Sequence, residues 1–176
     1  MRRVAVIGCG GSGKTTLANE LGRRLELPVV HIDSHYWQII DGERVESTPE
    51  QWQACHRRLI EQDESIMDGM KLGVLDERLA RADTVIYLDL PTRACLSGIL
   101  RRRMRYRGQP RPDLGVYDRI TWEFLRWAWS FRRQQRPTLL ATVARFEGHT
   151  ILLHRRREVP RVLDTITPVE TTTVAA

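Results

Sequence analysis

Apolar and polar positions along the chain switch between two periods, and the switching predicts strands interleaved with helices. Arg3 to Ile7 is a short β-branched run ending in glycines, the pattern of a buried strand. From about Gly13, the residues Leu17, Ala18, Leu21 and Leu25 recur at helical spacing until Pro28. Val29 to Ile32 reads as a second buried strand with Asp33 at its carboxyl end, and residues 34 to 47 read as irregular and mostly polar. Thr48-Pro49-Glu50-Gln51 is a helix start: Thr48 is the N-cap, Pro49 sits in the first turn, and Gln51 completes a capping box.

That helix runs to about Gln62, and Ser65 to Met67 forms a third strand ending at Asp68-Gly69. A brief helix over about Leu75 to Arg81 leads to a fourth strand, Thr84 to Leu88, closed by Asp89-Leu90-Pro91. Thr92 to about Arg105 is a long helix followed by "YRGQPRPD", whose glycine and prolines interrupt regular structure. Ile120 to Phe131 is helical, with Trp122, Leu125 and Trp129 at the spacing of a face packed on the body. Pro137 restarts a helix to about Phe146, Thr150 to Leu153 is a fifth strand, and Val159 to Leu163 begins a closing helix.

This order predicts one α/β domain over residues 1–166, a five-stranded parallel sheet with helices on both faces, and a disordered tail over 167–176. Ligands of such sheets bind beyond the carboxyl ends of the strands, where Gly8, Asp33, Asp68 and Asp89 all fall.

The stretch "VAVIGCGGSGKTT" admits two parses. Gly8, Gly10 and Gly13 spell the G-x-G-x-x-G of dinucleotide-binding folds, and Asp33 lies twenty residues after Gly13, where an acidic residue would take a ribose. Gly8 to Thr15 also spell G-x-x-x-x-G-K-T, a phosphate-binding loop. Lys14, Thr15 and Thr16 decide between them. A dinucleotide turn has no use for a cation there, whereas a phosphate loop uses a lysine on the phosphates and the next hydroxyl on Mg²⁺. The backbone of Gly8, Gly10, Gly11, Ser12, Gly13, Lys14, Thr15 and Thr16 is therefore the expected nucleotide cradle.

Phosphoryl transfer needs a carboxylate to orient the acceptor and cations to neutralise the moving group. Asp33 is expected in the first role, Asp68 with Thr15 at Mg²⁺, and Lys14 with Arg101 and Arg105 on the phosphates. Arg101 and Arg105 share one helix face while Arg102 and Arg103 point elsewhere; Arg107 and Arg111 follow on the loop, giving a lid over about 101–117. Asp89 reads as structural, orienting the glycine loop, and Arg155 or Arg156 as a stacking surface for adenine. The aromatic residues of "DSHYWQ" are placed to contact an acceptor, and the five histidines have no metal-ligand spacing.

Charge sharpens this picture. The chain of 176 residues has a net charge of +6 and only two lysines, Lys14 and Lys71. Twelve arginines between Arg93 and Arg136 face three acids, a local net of +9, so the remainder is acidic overall. Such a block suits an anionic ligand, either nucleotide phosphates or, on a second reading, nucleic acid bound by a P-loop ATPase. No apolar run is long enough to span a bilayer, no secretory leader is visible, and three cysteines without paired spacing suit a reducing cytoplasm.

Taken in order, "IGCGGSGKTTLA", "LPVVHIDSHYW", "IMDGM", "RLARADTVIYLDLP", "RRRMRYRGQPRPD" and "FLRWAWSF" resemble the adenylate-kinase-like P-loop family labelled "DNA topology modulation protein". The resemblance implies an adenylate-kinase-type fold, ATP with Mg²⁺, and phosphoryl transfer from a nucleoside triphosphate to a small-molecule acceptor. It also implies that Asp68-Gly69 is the pair that organises Mg²⁺. The family commonly reads Asp-Gly-Asn-Tyr where this chain has Asp-Gly-Met-Lys; Lys71 there favours an anionic acceptor.

Overall fold

The computed structural model describes residues 1–40, 43–106, 109 and 120–166. Arg107, Arg111, most of the expected lid and the 167–176 tail lie outside these residues.

Strand β1 (Arg3–Gly8) leads into helix α1 (Lys14–Leu25), followed by β2 (Val29–His31) and the single turn α2 (Ile32–His35). A hairpin, β3 (Trp37–Ile40) and β4 (Glu43–Glu46), precedes α3 (Pro49–Ile60) and β5 (Ser65–Asp68). Then come α4 (Leu75–Arg81), β6 (Thr84–Leu88), α5 (Thr92–Tyr106), α6 (Trp122–Gln134), α7 (Arg136–Ala144), β7 (His149–Leu153) and α8 (Val159–Thr165).

The main sheet runs β2-β5-β1-β6-β7 with every pairing parallel. β1 is central, and the chain leaves it first toward β2 and later crosses to β6, so the strand order reverses around the end of β1. A crevice opens at such a reversal. Val4 to Ile7 and Val85 to Leu88 are buried on both faces, which is why these strands read as unbroken apolar runs. Along β5 successive side chains serve opposite faces: Ile66 joins the main core, while Met67 joins a smaller one with Val30, Ile32, Trp52 and Val74 under α3. The α3 capping box forms as expected, with Gln51 N donating to Thr48 Oγ1 at 3.3 Å and Thr48 N to Gln51 Oε1 at 3.0 Å.

Three expectations are corrected. Residues 34–47 are not irregular: they complete α2 and form the antiparallel β3–β4 hairpin, in register Trp37↔Glu46. The sequence did carry a signal, Asp-Gly at positions 41 and 42 after the apolar Trp37, Ile39 and Ile40, but the charged residues of β4 masked the alternation expected of a strand. Second, β2 stops at His31, and Asp33 sits one residue into the α2 turn rather than on the strand end.

Third, α6 does pack on the body, but not through Trp122 and Trp129, which are 75% and 70% exposed. Ala128 and Phe131 are buried, with Phe124 and Trp127 partly so. Both faces of this helix carry apolar residues at helical spacing, and only packing selects between them.

Candidate active site

The loop from Gly8 to Gly13 turns through left-handed backbone before α1 begins at Lys14. Gly11 has φ +75°, and a Cβ there would collide with the Cys95 carbonyl on α5, so the close approach of loop and helix requires glycine. The first turn of α1 has no side-chain cap and no acidic residue, leaving its N–H groups and positive dipole end for an anion. Lys14 is buried and its Nζ donates to the Cys9 carbonyl of its own loop at 3.0 Å. Ser12 is also buried, and its hydroxyl has no hydrogen-bond partner among the described residues.

Thr15 Oγ1 donates to Asp68 Oδ2 at 2.8 Å, and Asp68 Oδ1 is hydrogen-bonded to His31 Nδ1. β2 and β5 pair His31 with Asp68 directly, so this contact is built into the sheet register. Asp68 is 4% exposed. Two residues sequence reading overlooked support this corner: His31, two positions before Asp33, and Arg78 of α4.

Arg78 is wholly buried, donates to the Gly69 carbonyl at 3.3 Å, and keeps two further guanidinium nitrogens without a hydrogen-bond partner. Burial pushes it down to about 10, against the pull of Asp33 and Asp68. Its signal was available: Arg78 shares the buried stripe of α4 with Leu75 and Leu79.

Asp33 is exposed to the cleft, and a Cβ on Gly69 would lie 3.4 Å from its Oδ1, so the carboxylate rests over the Asp68-Gly69 turn. Beyond it the hairpin supplies a wall. Lys71 Nζ stands 3.2 Å over the Tyr36 ring, Tyr36 Oη donates to Glu46 at 3.1 Å, and Trp37 meets Tyr36 edge-on. Burial lowers Lys71, with Asp33 and Glu46 opposing. Of the aromatic residues of "DSHYWQ", Trp37 lines the cleft and Tyr36 stands behind Lys71, and Glu46, which sequence reading did not single out, lines it too.

One cleft of about 2070 Å³ joins these groups. Gly10 to Thr16, His31, Asp33, Glu46, Asp68 and Lys71 line it, and so do Arg101, Arg102 and Arg105 from the end of α5. Arg102 was expected to point away; the cleft wraps the end of α5, and a long side chain one position round the helix still reaches it. A single small-molecule site occupies roughly 300–1,000 Å³, so this cleft has room for two molecules side by side.

Asp89 does not orient the glycine loop. Its buried carboxylate receives Arg136 Nε at 2.8 Å and Nη2 at 2.7 Å, with Arg132 at 3.7 Å, tying α6 and α7 to the end of β6. Nor is Arg156 turned out to a base. Its Nη2 donates to the Gly11 and Ala94 carbonyls at 2.7 and 2.8 Å, fastening the glycine loop to α5. Cys9 and Cys95 are buried thiols beneath that junction, and contact with Cys95 together with burial holds Cys9 well above the usual thiol range.

Solved structures with this architecture include shikimate kinase from Acinetobacter baumannii in complex with shikimate, at 15% identity and TM-score 0.58, covering 93% of this chain and 89% of that one. A sugar kinase from Janibacter sp. matches at 17% identity and TM-score 0.51, covering 93% and 91%. Shikimate kinase from Bacteroides thetaiotaomicron matches at 14% and 0.52, covering 93% and 94%. No protein-family model and no curated protein sequence matches this chain. The likeness establishes the fold: an α/β P-loop fold of the shikimate and adenylate kinase type.

Proposed function

We propose that this protein is an ATP- and Mg²⁺-dependent kinase that transfers the γ-phosphoryl group to a hydroxyl of a small molecule. One observation carries the reading: the uncapped start of α1, with Lys14 and the Thr15–Asp68 pair, opens into the same cleft as Asp33, with space for a second molecule between. A hydrolase needs only the first half of that arrangement.

In this reading the N–H groups from Gly10 to Thr16 hold the β- and γ-phosphates, and Lys14 leaves the Cys9 carbonyl to neutralise them. A hydroxyl and a carboxylate already within hydrogen-bond distance form an oxygen donor set of the kind Mg²⁺ takes, so Thr15 and Asp68 would hold it. Bound there, the ion would draw charge from the phosphate oxygens. Asp33 orients the acceptor hydroxyl and accepts its proton as the oxygen bonds to phosphorus. Arg101, Arg102 and Arg105 close over the transferring group from α5, neutralising it and excluding water.

Trp37 and Glu46 of the hairpin, with Lys71 after β5, select the acceptor, and Lys71 favours one carrying a negative charge. The solved relatives named as kinases of shikimate and of sugars support a hydroxylated acceptor of modest size. The ordered motifs from "IGCGGSGKTTLA" to "FLRWAWSF" support placing the chain near the "DNA topology modulation protein" family. Three cysteines without a disulfide support a cytoplasmic setting.

The test is a phosphoryl-transfer screen of nucleotides, sugars and hydroxy acids with ATP·Mg²⁺, beside a no-acceptor control. Lys14→Ala should abolish turnover, whereas Asp33→Asn should abolish transfer and leave ATP binding intact. Normal transfer by Asp33→Asn overturns the role of Asp33. Acceptor-independent hydrolysis stimulated by DNA overturns the kinase reading in favour of a nucleic-acid-associated ATPase.

A further inference from the structure

The cleft uses only the inner side of α6, through Phe124 and Trp127. On the opposite side Trp122, Arg126, Trp129 and Arg133 follow one another at i, i+4, i+7 and i+11, a stripe about 60° wide on a helix of 3.6 residues per turn. Trp122 and Trp129 are 75% and 70% exposed, more than any other large apolar side chain among the described residues, and both arginines are exposed with them. Tryptophan and arginine are the residue types that dominate binding energy at protein interfaces.

We propose that this stripe is a homodimer interface in which α6 packs antiparallel against α6 of a second copy, about a two-fold axis between residues 127 and 128. The order Trp-Arg-Trp-Arg is complementary to its own reversal. About that axis Trp122 lies opposite Arg133 of the second copy, and Arg126 lies opposite its Trp129. A two-fold interface requires that if one residue meets another, the converse also holds, and this stripe satisfies that with a cation over an indole at all four places. A parallel pairing would set arginine against arginine.

The self-complementary order of indoles and cations is what favours a second copy over a nucleic acid, which would offer phosphates to the arginines but no cation to the indoles. The two indoles lie about 10.5 Å apart along the helix, with an arginine between them. Adjacent bases of a stacked strand, about 3.4 Å apart, do not match that spacing. The pairing leaves the cleft open, because Phe124 and Trp127 face the other way.

The experiment is sedimentation velocity of the full chain over a micromolar concentration series. The wild-type chain should sediment as a dimer. Trp129→Arg sets one guanidinium against another, that of Arg126 in the second copy, and should weaken the dimer at least about tenfold. Adding Arg126→Trp to it restores a tryptophan opposite an arginine and should recover the dimer. Trp122→Ala, a smaller change at an exposed site, should also weaken it, with far-UV circular dichroism unchanged in every variant and melting temperature lowered only at concentrations where the wild-type chain is dimeric.

A wild-type monomer throughout the series overturns the proposal, and so does a dimer indifferent to Trp129→Arg and Trp122→Ala. A double exchange no better than the single one overturns the antiparallel pairing. A monomer that binds a single-stranded oligonucleotide or anionic lipid vesicles through Trp122 and Trp129 overturns it too, assigning the stripe to that partner instead.

Discussion

Thr15 Oγ1 donates to Asp68 Oδ2 at 2.8 Å, joining the first turn of α1 to the end of β5 across 53 positions of sequence. The hydroxyl is on the residue after the loop lysine, and the carboxylate is steadied on its other oxygen by His31. In the proposed reaction this pair holds the divalent cation, with the hydroxyl giving up its bond to the carboxylate.

Asp68→Asn keeps the shape of the side chain and removes its charge. Nucleotide binding without metal should stay within about twofold, while Mg²⁺-supported turnover should fall about 100-fold. Turnover titrated with Mg²⁺, set beside calorimetric nucleotide binding in a chelator, checks both halves. Loss of metal-free binding would mean that Asp68 serves the loop fold instead.

Arg78 is a buried cation whose hydrogen-bond partner is the Gly69 carbonyl, with Asp33 and Asp68 as its nearby charges. Arg78→Met fills the same space without charge, and replacing a buried ion by an apolar side chain is often nearly neutral for stability. The variant should unfold in urea within about 1 kcal/mol of wild type yet lose about 10- to 100-fold in turnover, because the Asp68-Gly69 turn and the carboxylates lose their support. Equal losses in both measurements would mark Arg78 as purely structural.

His56 is wholly buried beside Trp52, and burial together with the Arg78 cation holds it down to about 4, Glu77 opposing. Its folded-state value lies below its unfolded one, so the unfolded chain binds the extra proton as pH falls. Stability from this residue is whole above about pH 6.5 and declines toward pH 4, by up to about 3 kcal/mol. His56→Phe should remove that share of the acid sensitivity. Urea unfolding of both proteins from about pH 7 to about pH 4 compares the slopes; parallel slopes would rule the residue out.

Asp89 and Arg136 form a two-pronged pair at 2.7 and 2.8 Å around a carboxylate that is almost fully buried. Arg136→Ala strands that charge with only Arg132 and His154 at longer range, and should cost about 2–4 kcal/mol. Arg136→Lys retains the cation but not the fork, and should recover about half. Equilibrium unfolding of the two variants gives the ratio.

Much of the fold was legible because its signals are local. The unbroken apolar strands Val4 to Ile7 and Val85 to Leu88, the helical spacing of Leu17, Ala18 and Leu21, and the Thr48–Gln51 capping box each need only a few neighbouring residues to be recognised. The glycine loop was legible for the same reason, since backbone turned toward a phosphate needs glycines and a lysine at set intervals.

What the chain determines by itself, then, is the α/β order, the phosphate loop, and the fall of Asp33, Asp68 and Asp89 near strand ends. The partner of each carboxylate was decided only by tertiary structure. Asp68 found Thr15 and His31 because β2 lies beside β5 in this register, while Asp89 was turned away to Arg136 by the helices behind β6. The inward face of α6 and the placing of Trp37 and Glu46 beside the cleft were settled in the same way. Periodicity reports that a face is apolar, and the surface it meets is set by chain segments far away in sequence.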